Sequence, residues 1–126
     1  MLAHLDLHKI LFLDIETVPL YPNFEDASAL EQQYFAEKTA YQRKDDFSAE
    51  EFYSRAGIWA EFGKIVCISV GYFSPQQDPR DFRLKTLKGE EADLLKEFKA
   101  LVESYFNSTK HRFCGHNAKE FDFPFI

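Results

Sequence analysis

Cysteine is scarce in this chain, with two in 126 residues. Cys67 and Cys114 match no C-x-x-C spacing, which argues against a zinc site and leaves each as a buried free thiol inside an apolar run, a usage that suits the cytoplasm. Positive charge is short as well: 15 Lys and Arg stand against 21 Asp and Glu, for a net charge of −6. That balance, with a sequence pI near 5.2, excludes a module that holds nucleic acid by bulk electrostatics. It leaves nucleic acid open as a substrate, because a metal-dependent nuclease needs only local carboxylates whose cations invert the local charge. No stretch approaches the ~18 apolar residues of a membrane span, and the N-terminus lacks the basic and apolar regions of a signal peptide. The expectation is a soluble cytoplasmic protein that does not engage a membrane. Repeats, low-complexity segments and flexible linkers are missing too.

What the chain has in excess is Phe. Fourteen Phe with six Tyr and one Trp supply enough large apolar surface for a substantial core or an aromatic-lined cleft. A hydrophobic share of 45% against 29% charged is ordinary for globular chains, so disorder and fibrous architectures are excluded. The length suits one domain.

Residues 9–13 form a nearly continuous apolar run ending at Asp14, the pattern of a central strand buried on both faces. Two S-x-x-E capping boxes follow, Ser28 with Glu31 and Ser48 with Glu51, and open two helices. Leu30, Tyr34 and Tyr41 share a face of the first. The second, over residues 49–56, has Gly57 as its C-cap. Together they predict a helical insertion over about residues 27–57 lying over the body. Residues 64–73 are rich in β-branched and aromatic side chains and predict a second strand, closed by the breaker series 75–79. Residues 81–87 alternate Phe82, Leu84 and Thr86 against Arg83 and Lys85, a half-buried third strand. A long amphipathic helix then presents Leu94, Leu95, Phe98, Leu101, Val102 and Tyr105 as one stripe. Residues 112–114 make a short fourth strand, taken as a core strand, and residues 121–124 start another helix with Pro124 in its first turn. The fold class expected is α/β: an antiparallel meander joined to a parallel neighbour in one mixed sheet.

The sharpest local feature is Asp14-Ile15-Glu16. Alternation puts both acids on one side of the strand, ~6 to 7 Å apart, where they can share one hard cation. The same pair can equally lie at a frayed strand end and face water. Asp122 falls at a strand-to-helix junction, the edge where α/β proteins build their sites, or acts as a helix N-terminal acid. His116 and Asn117 read as a site pair or as turn residues.

Residues 12–17, Phe-Leu-Asp-Ile-Glu-Thr, resemble the first motif of the DEDD exonuclease superfamily. His116-Asn117 followed by Phe121-Asp122-Phe123-Pro124-Phe125-Ile126 resembles its second. The run from Glu61 to Gly71 is similar to the second strand of predicted bacterial 3′→5′ exonucleases related to the proofreading domain of family B DNA polymerases. The resemblance spans residues 9–126 and implies a ribonuclease H-like fold. It implies that Asp14 ligates two divalent cations, Glu16 one of them and Asp122 the second, directly or through water, with Mg²⁺ or Mn²⁺ as cofactor. It further implies Thr17 and Asn117 as contacts to the terminal nucleotide and backbone phosphate. Phe121 is a candidate base-stacking residue or a core one. The implied partner is nucleic acid, above all single-stranded DNA 3′ ends, with RNA exonucleases and a non-catalytic scaffold of the same fold as alternatives.

The family also has a third motif, a Tyr or His that orients the attacking water and a fourth acid on a later helix. No counterpart stands in residues 1–126. The expectation is therefore an N-terminal part of the exonuclease domain with little turnover by itself. Its uncovered strand edge would favour homo-oligomers or domain swapping.

Overall fold

The computed structural model describes residues 4–74 and 81–126. Strand β1 (Ile10–Pro19) is followed by helix α1 (Ala29–Arg43), by α2 (Ala49–Phe52), which tightens into a 3-10 turn (Tyr53–Ile58), and by strand β2 (Gly63–Phe73). Strand β3 (Phe82–Lys88), helix α3 (Glu91–Tyr105), strand β4 (Arg112–Cys114) and the short helix α4 (Asp122–Phe125) complete the order. The breaker series 75–79 lies outside the described residues.

The strands form one sheet in the order β3-β2-β1-β4. β2 and β3 pair antiparallel, and β1 and β4 pair parallel, so the sheet is mixed, as the sequence predicts. The chain falls into two compact units: residues 1–16 with 66–124 and 126, and residues 17–65 with 125.

The first unit holds the sheet and α3. Antiparallel partners share a face, so Ile68 with Leu87 and Val70 with Lys85 lie on one side, and Ser69 with Thr86 and Gly71 with Leu84 on the other. Helix α3 covers the first side: Leu94 and Phe98 are buried, Lys85 pairs with Glu97, and the Tyr72 ring meets Phe106 at the end of α3. Leu11, Leu13 and Ile15 of β1 are buried. Phe12, one position off, forms edge-on contacts with Phe73 and Phe82 and marks the opposite, open face.

The second unit packs around Phe35, Phe52, Tyr53, Ala56 and Phe62, with Tyr21, Phe24, Ala49 and Trp59 against them. Phe35 meets Tyr53, Trp59 and Phe62 edge-on, the arrangement that the ring quadrupoles favour. Thr39 is buried there because its hydroxyl donates to the Phe35 carbonyl. Four of the fourteen Phe lie in this cluster.

Several expectations need correction. β1 does not end at Asp14: β-branched Ile15, Thr17 and Val18 carry it to Pro19, which lacks the N–H to continue. The α1 face shared by Leu30, Tyr34 and Tyr41 is the exposed one, and Phe35 and Thr39 on the other side are buried. Gly57 is no C-cap. It lies inside the 3-10 turn, where a Cβ would stand 3.0 Å from the carbonyl carbon of Val18, so close backbone approach requires it. In β3 the side taken as inward is the exposed one: Leu84 is 75% exposed and Leu87 1%, since α3 covers the opposite face. β4 is an edge strand with all three residues exposed, so Cys114 is an exposed thiol, and Cys67 is half-buried. The stripe of α3 holds for Leu94 and Phe98, but Tyr105 at its end is 73% exposed. Among the described residues no helix is long and apolar enough to cross a membrane.

Candidate carboxylate site

Asp14 and Glu16 are both exposed, and they flank the buried Ile15. In a strand that pattern puts the two carboxylates on the same open face as Phe12. Among the described residues neither takes part in an ion pair or hydrogen bond with another side chain, so both present oxygen lone pairs to solvent.

Asp122 is placed differently. It is 2% exposed, and its Oδ1 accepts a hydrogen bond from the Ile15 amide at 3.0 Å. The cause is the early end of β4. Its pairing with β1 runs from Ile10 with Arg112 to Phe12 with Cys114. Leu11, Leu13 and Ile15 direct their backbone groups toward that edge, and past Cys114 the chain turns away. A Cβ on Gly115 would stand 2.7 Å from the Leu13 carbonyl oxygen, so glycine lets the departing chain pass close to β1. The side chain of Asp122 then supplies the acceptor that a longer β4 would have given Ile15. The third acid is thus tied to the backbone of the residue that separates the first two.

The turn between β4 and α4 is built on Asn117, which adopts φ of 54°, a left-handed conformation that Asn tolerates better than most residues. Its carbonyl accepts from the Glu120 amide, and its side chain is exposed. Phe121 is half-buried and directly precedes the helix. Thr17 belongs to the second unit, and its hydroxyl donates to the Gly57 carbonyl at 2.6 Å. That bond fixes the Thr17 side chain within its own unit.

Asp14 also borders a shallow cleft of about 510 Å³ on the open face, lined by Phe12, Ser69, Gly71, Leu84, Cys114 and His116 among others. The sequence marks none of Ser69, Gly71, Leu84 and Cys114 as a site residue. Only the pairings of Gly71 with Leu84 and of Phe12 with Cys114 bring them beside Asp14, and strand order is not written in periodicity. A second cavity, in the unit of residues 17–65, measures about 10 Å³ beside Tyr21, Glu31 and Tyr53 and has room for a single water at most.

The donor chemistry of Asp14 and Glu16 fits a hard divalent cation, since Mg²⁺ keeps several waters and is commonly held by one or two carboxylates. Asp122 adds a further carboxylate with lone pairs beyond the one given to Ile15. Among the described residues, however, no group of three or more His, Cys, Asp or Glu side chains is assembled as a metal cage. What stands ready is an exposed pair with a buried acid anchored beside it. No model of a known protein family, no curated protein and no solved structure matches this chain.

Proposed function

We propose that the protein is a metal-dependent nuclease of the 3′→5′ exonuclease kind, with a ribonuclease H-like fold, in which Asp14, Glu16 and Asp122 hold Mg²⁺ or Mn²⁺. The observation that carries this reading is the Asp122 to Ile15 hydrogen bond, which ties an acid from the end of the chain to the strand segment bearing the other two. The mixed sheet and the position of Asp122 just past a parallel strand support it as well. A bound divalent ion would supply charge neutralisation for a scissile phosphate and lower the pKa of an attacking water. The residues have separable tasks. Asp14 and Glu16 offer exposed oxygens on one face and so bind the ion, whereas the backbone bond of Asp122 limits where its carboxylate can go. Asn117, on the exposed turn, would donate its side-chain amide to a phosphate. The open face beside Asp14, with Phe12 and Leu84, offers apolar surface to an unstacked base. DNA is the substrate proposed, following the resemblance of residues 12–17 and 116–126 to the exonuclease motifs.

One observation favours a second reading. Asp122 has a structural task, the capping of the Ile15 amide, that would be kept in a non-catalytic scaffold. Titration with thymidine 5′-monophosphate, the product such a nuclease releases, separates the two. The nuclease reading expects the nucleotide to bind only when Mn²⁺ is present and expects Asp14→Asn to weaken that binding at least ~10-fold, about 1.4 kcal/mol. Nucleotide binding that ignores Mn²⁺ or survives Asp14→Asn overturns it.

A further inference from the structure

The turn that carries the chain from β4 to α4 has a single buried side chain. Ala118 is 4% exposed, while His116, Asn117, Lys119 and Glu120 around it are exposed. One methyl group gains little from burial, so its place has another cause, and that cause lies at Gly115. A Cβ on Gly115 would stand 2.7 Å from the Ala118 Cβ and 2.7 Å from the Leu13 carbonyl oxygen, far inside the roughly 3.5–4.0 Å at which non-bonded carbon atoms settle. The volume that a side chain at position 115 would need is therefore taken by the Ala118 methyl and the β1 backbone. The left-handed Asn117 reverses the chain between them and lets Ala118 return to that gap.

Ala118 is also tied to the acid that follows it. Its carbonyl accepts the Phe123 amide at 2.8 Å, and that N–H belongs to the peptide group joining Asp122 to Phe123. The backbone of Asp122 is thereby held from Ala118, and its carboxylate from the Ile15 amide. The contacts close a ring, from Leu13 of β1 through Gly115 and Ala118 to Asp122, and back to β1 at Ile15. A larger group at position 118 would press on the backbone of Gly115 or of β1, and neither can turn aside as a flexible side chain does. The turn would then have to move off the strand, and Asp122 with it.

We propose that Ala118 is the positioning residue for Asp122: its methyl, seated in the gap left by Gly115, sets the spacing between the turn and β1 and so keeps the Asp122 carboxylate at the Ile15 amide. The consequence for function rests on the reading of Asp14, Glu16 and Asp122 as a cation site, whereas the spacing itself does not. Groups that orient a metal ligand without touching the metal are commonly worth ~10–100-fold in metal affinity. Ala118 acts in that way, through the peptide group it accepts from and with no atom of its own at the ion.

Ala118→Val tests this with two readouts. In metal-free ¹⁵N-labelled protein, loss of the carboxylate acceptor should move the Ile15 amide proton upfield and speed its exchange with solvent at least ~10-fold, while the β2 and β3 amides keep their positions. Mn²⁺ binding should weaken ~10-fold. In an Asp122→Asn background the same substitution should cost no further Mn²⁺ affinity, because its effect passes through the Asp122 carboxylate. Ala118→Gly keeps the carbonyl and removes the methyl, and it answers the same question if valine prevents folding: exchange at Ile15 should again rise. An Ile15 amide that either variant leaves unchanged overturns the inference, as does an equal loss of Mn²⁺ affinity with and without the Asp122 carboxylate. A parent protein that binds no Mn²⁺ overturns the cation reading instead, and the Ile15 amide then decides the inference by itself.

Discussion

At the first turn of α4 the buried Asp122 carboxylate takes the Ile15 amide at 3.0 Å, a structural role that two substitutions separate from the cation-binding role proposed for it. Asp122→Ala leaves a buried N–H without an acceptor and should lower the urea-unfolding free energy by about 1–3 kcal/mol. Asp122→Asn keeps an oxygen in the same place and should cost less than about 1 kcal/mol, while removing the charge that a cation needs. Equal destabilisation by both would show that the hydrogen bond to Ile15 is not what holds the turn. Asp14 and Glu16 were legible as a pair sharing one side of a strand, since alternation is local and both are exposed around a buried Ile15. The burial of Asp122 was not. It depends on where β4 stops, and three residues carry too short a pattern to mark that point. Thr17, adjacent in sequence to the acids, donates its hydroxyl to Gly57, a bond between residues forty positions apart that no local pattern announces.

The helices show the same division between local and distant causes. Both capping boxes form as read, with Ser28 accepting from the Glu31 amide and Ser48 from that of Glu51. The reciprocal bonds hold both carboxyls below their usual range: Glu31 chiefly through the Ser28 hydroxyl, and Glu51 chiefly through the Ser48 amide. A carboxyl whose pKa is lower in the folded state stabilises it fully above the ordinary value of 4.5. That stabilisation is lost as pH falls through the folded-state value. The double variant Glu31→Gln, Glu51→Gln should therefore show a shallower fall of melting temperature between about pH 5 and pH 3 than the parent protein. An equal fall in both proteins would mean that the boxes do not respond to acid. The buried face of α1 was not legible, because the side with more apolar character, Leu30 with Tyr34 and Tyr41, is the outer one. The core side spends a position on Thr39, whose buried hydroxyl donates to the Phe35 carbonyl and accepts from Arg43 Nε. In β3, alternation was read correctly but assigned the wrong side, since the covering helix α3 comes later in the chain and Lys85 reaches it through Glu97.

For the molecule as a whole, the mixed sheet was legible from the run of three strands, a helix and a returning strand, and the observed order β3-β2-β1-β4 joins both kinds of pairing. The edge position of β4 was hidden, because Phe113 and Cys114 are apolar in type yet exposed in place. Of the two, Cys114 shares the open side of the sheet with Phe12 and Leu84, and on that side stand Asp14 and Glu16. The central claim is that these two carboxylates, with Asp122 anchored at Ile15, bind a divalent cation. Titration of ¹⁵N-labelled protein with Mn²⁺ tests it most directly, because the paramagnetic ion broadens the amide signals nearest to it. The account predicts that Asp14, Ile15, Glu16 and Asp122 broaden first and that Asp14→Asn with Glu16→Gln abolishes the selectivity. Broadening that begins elsewhere, or that is unchanged in the double variant, would contradict it.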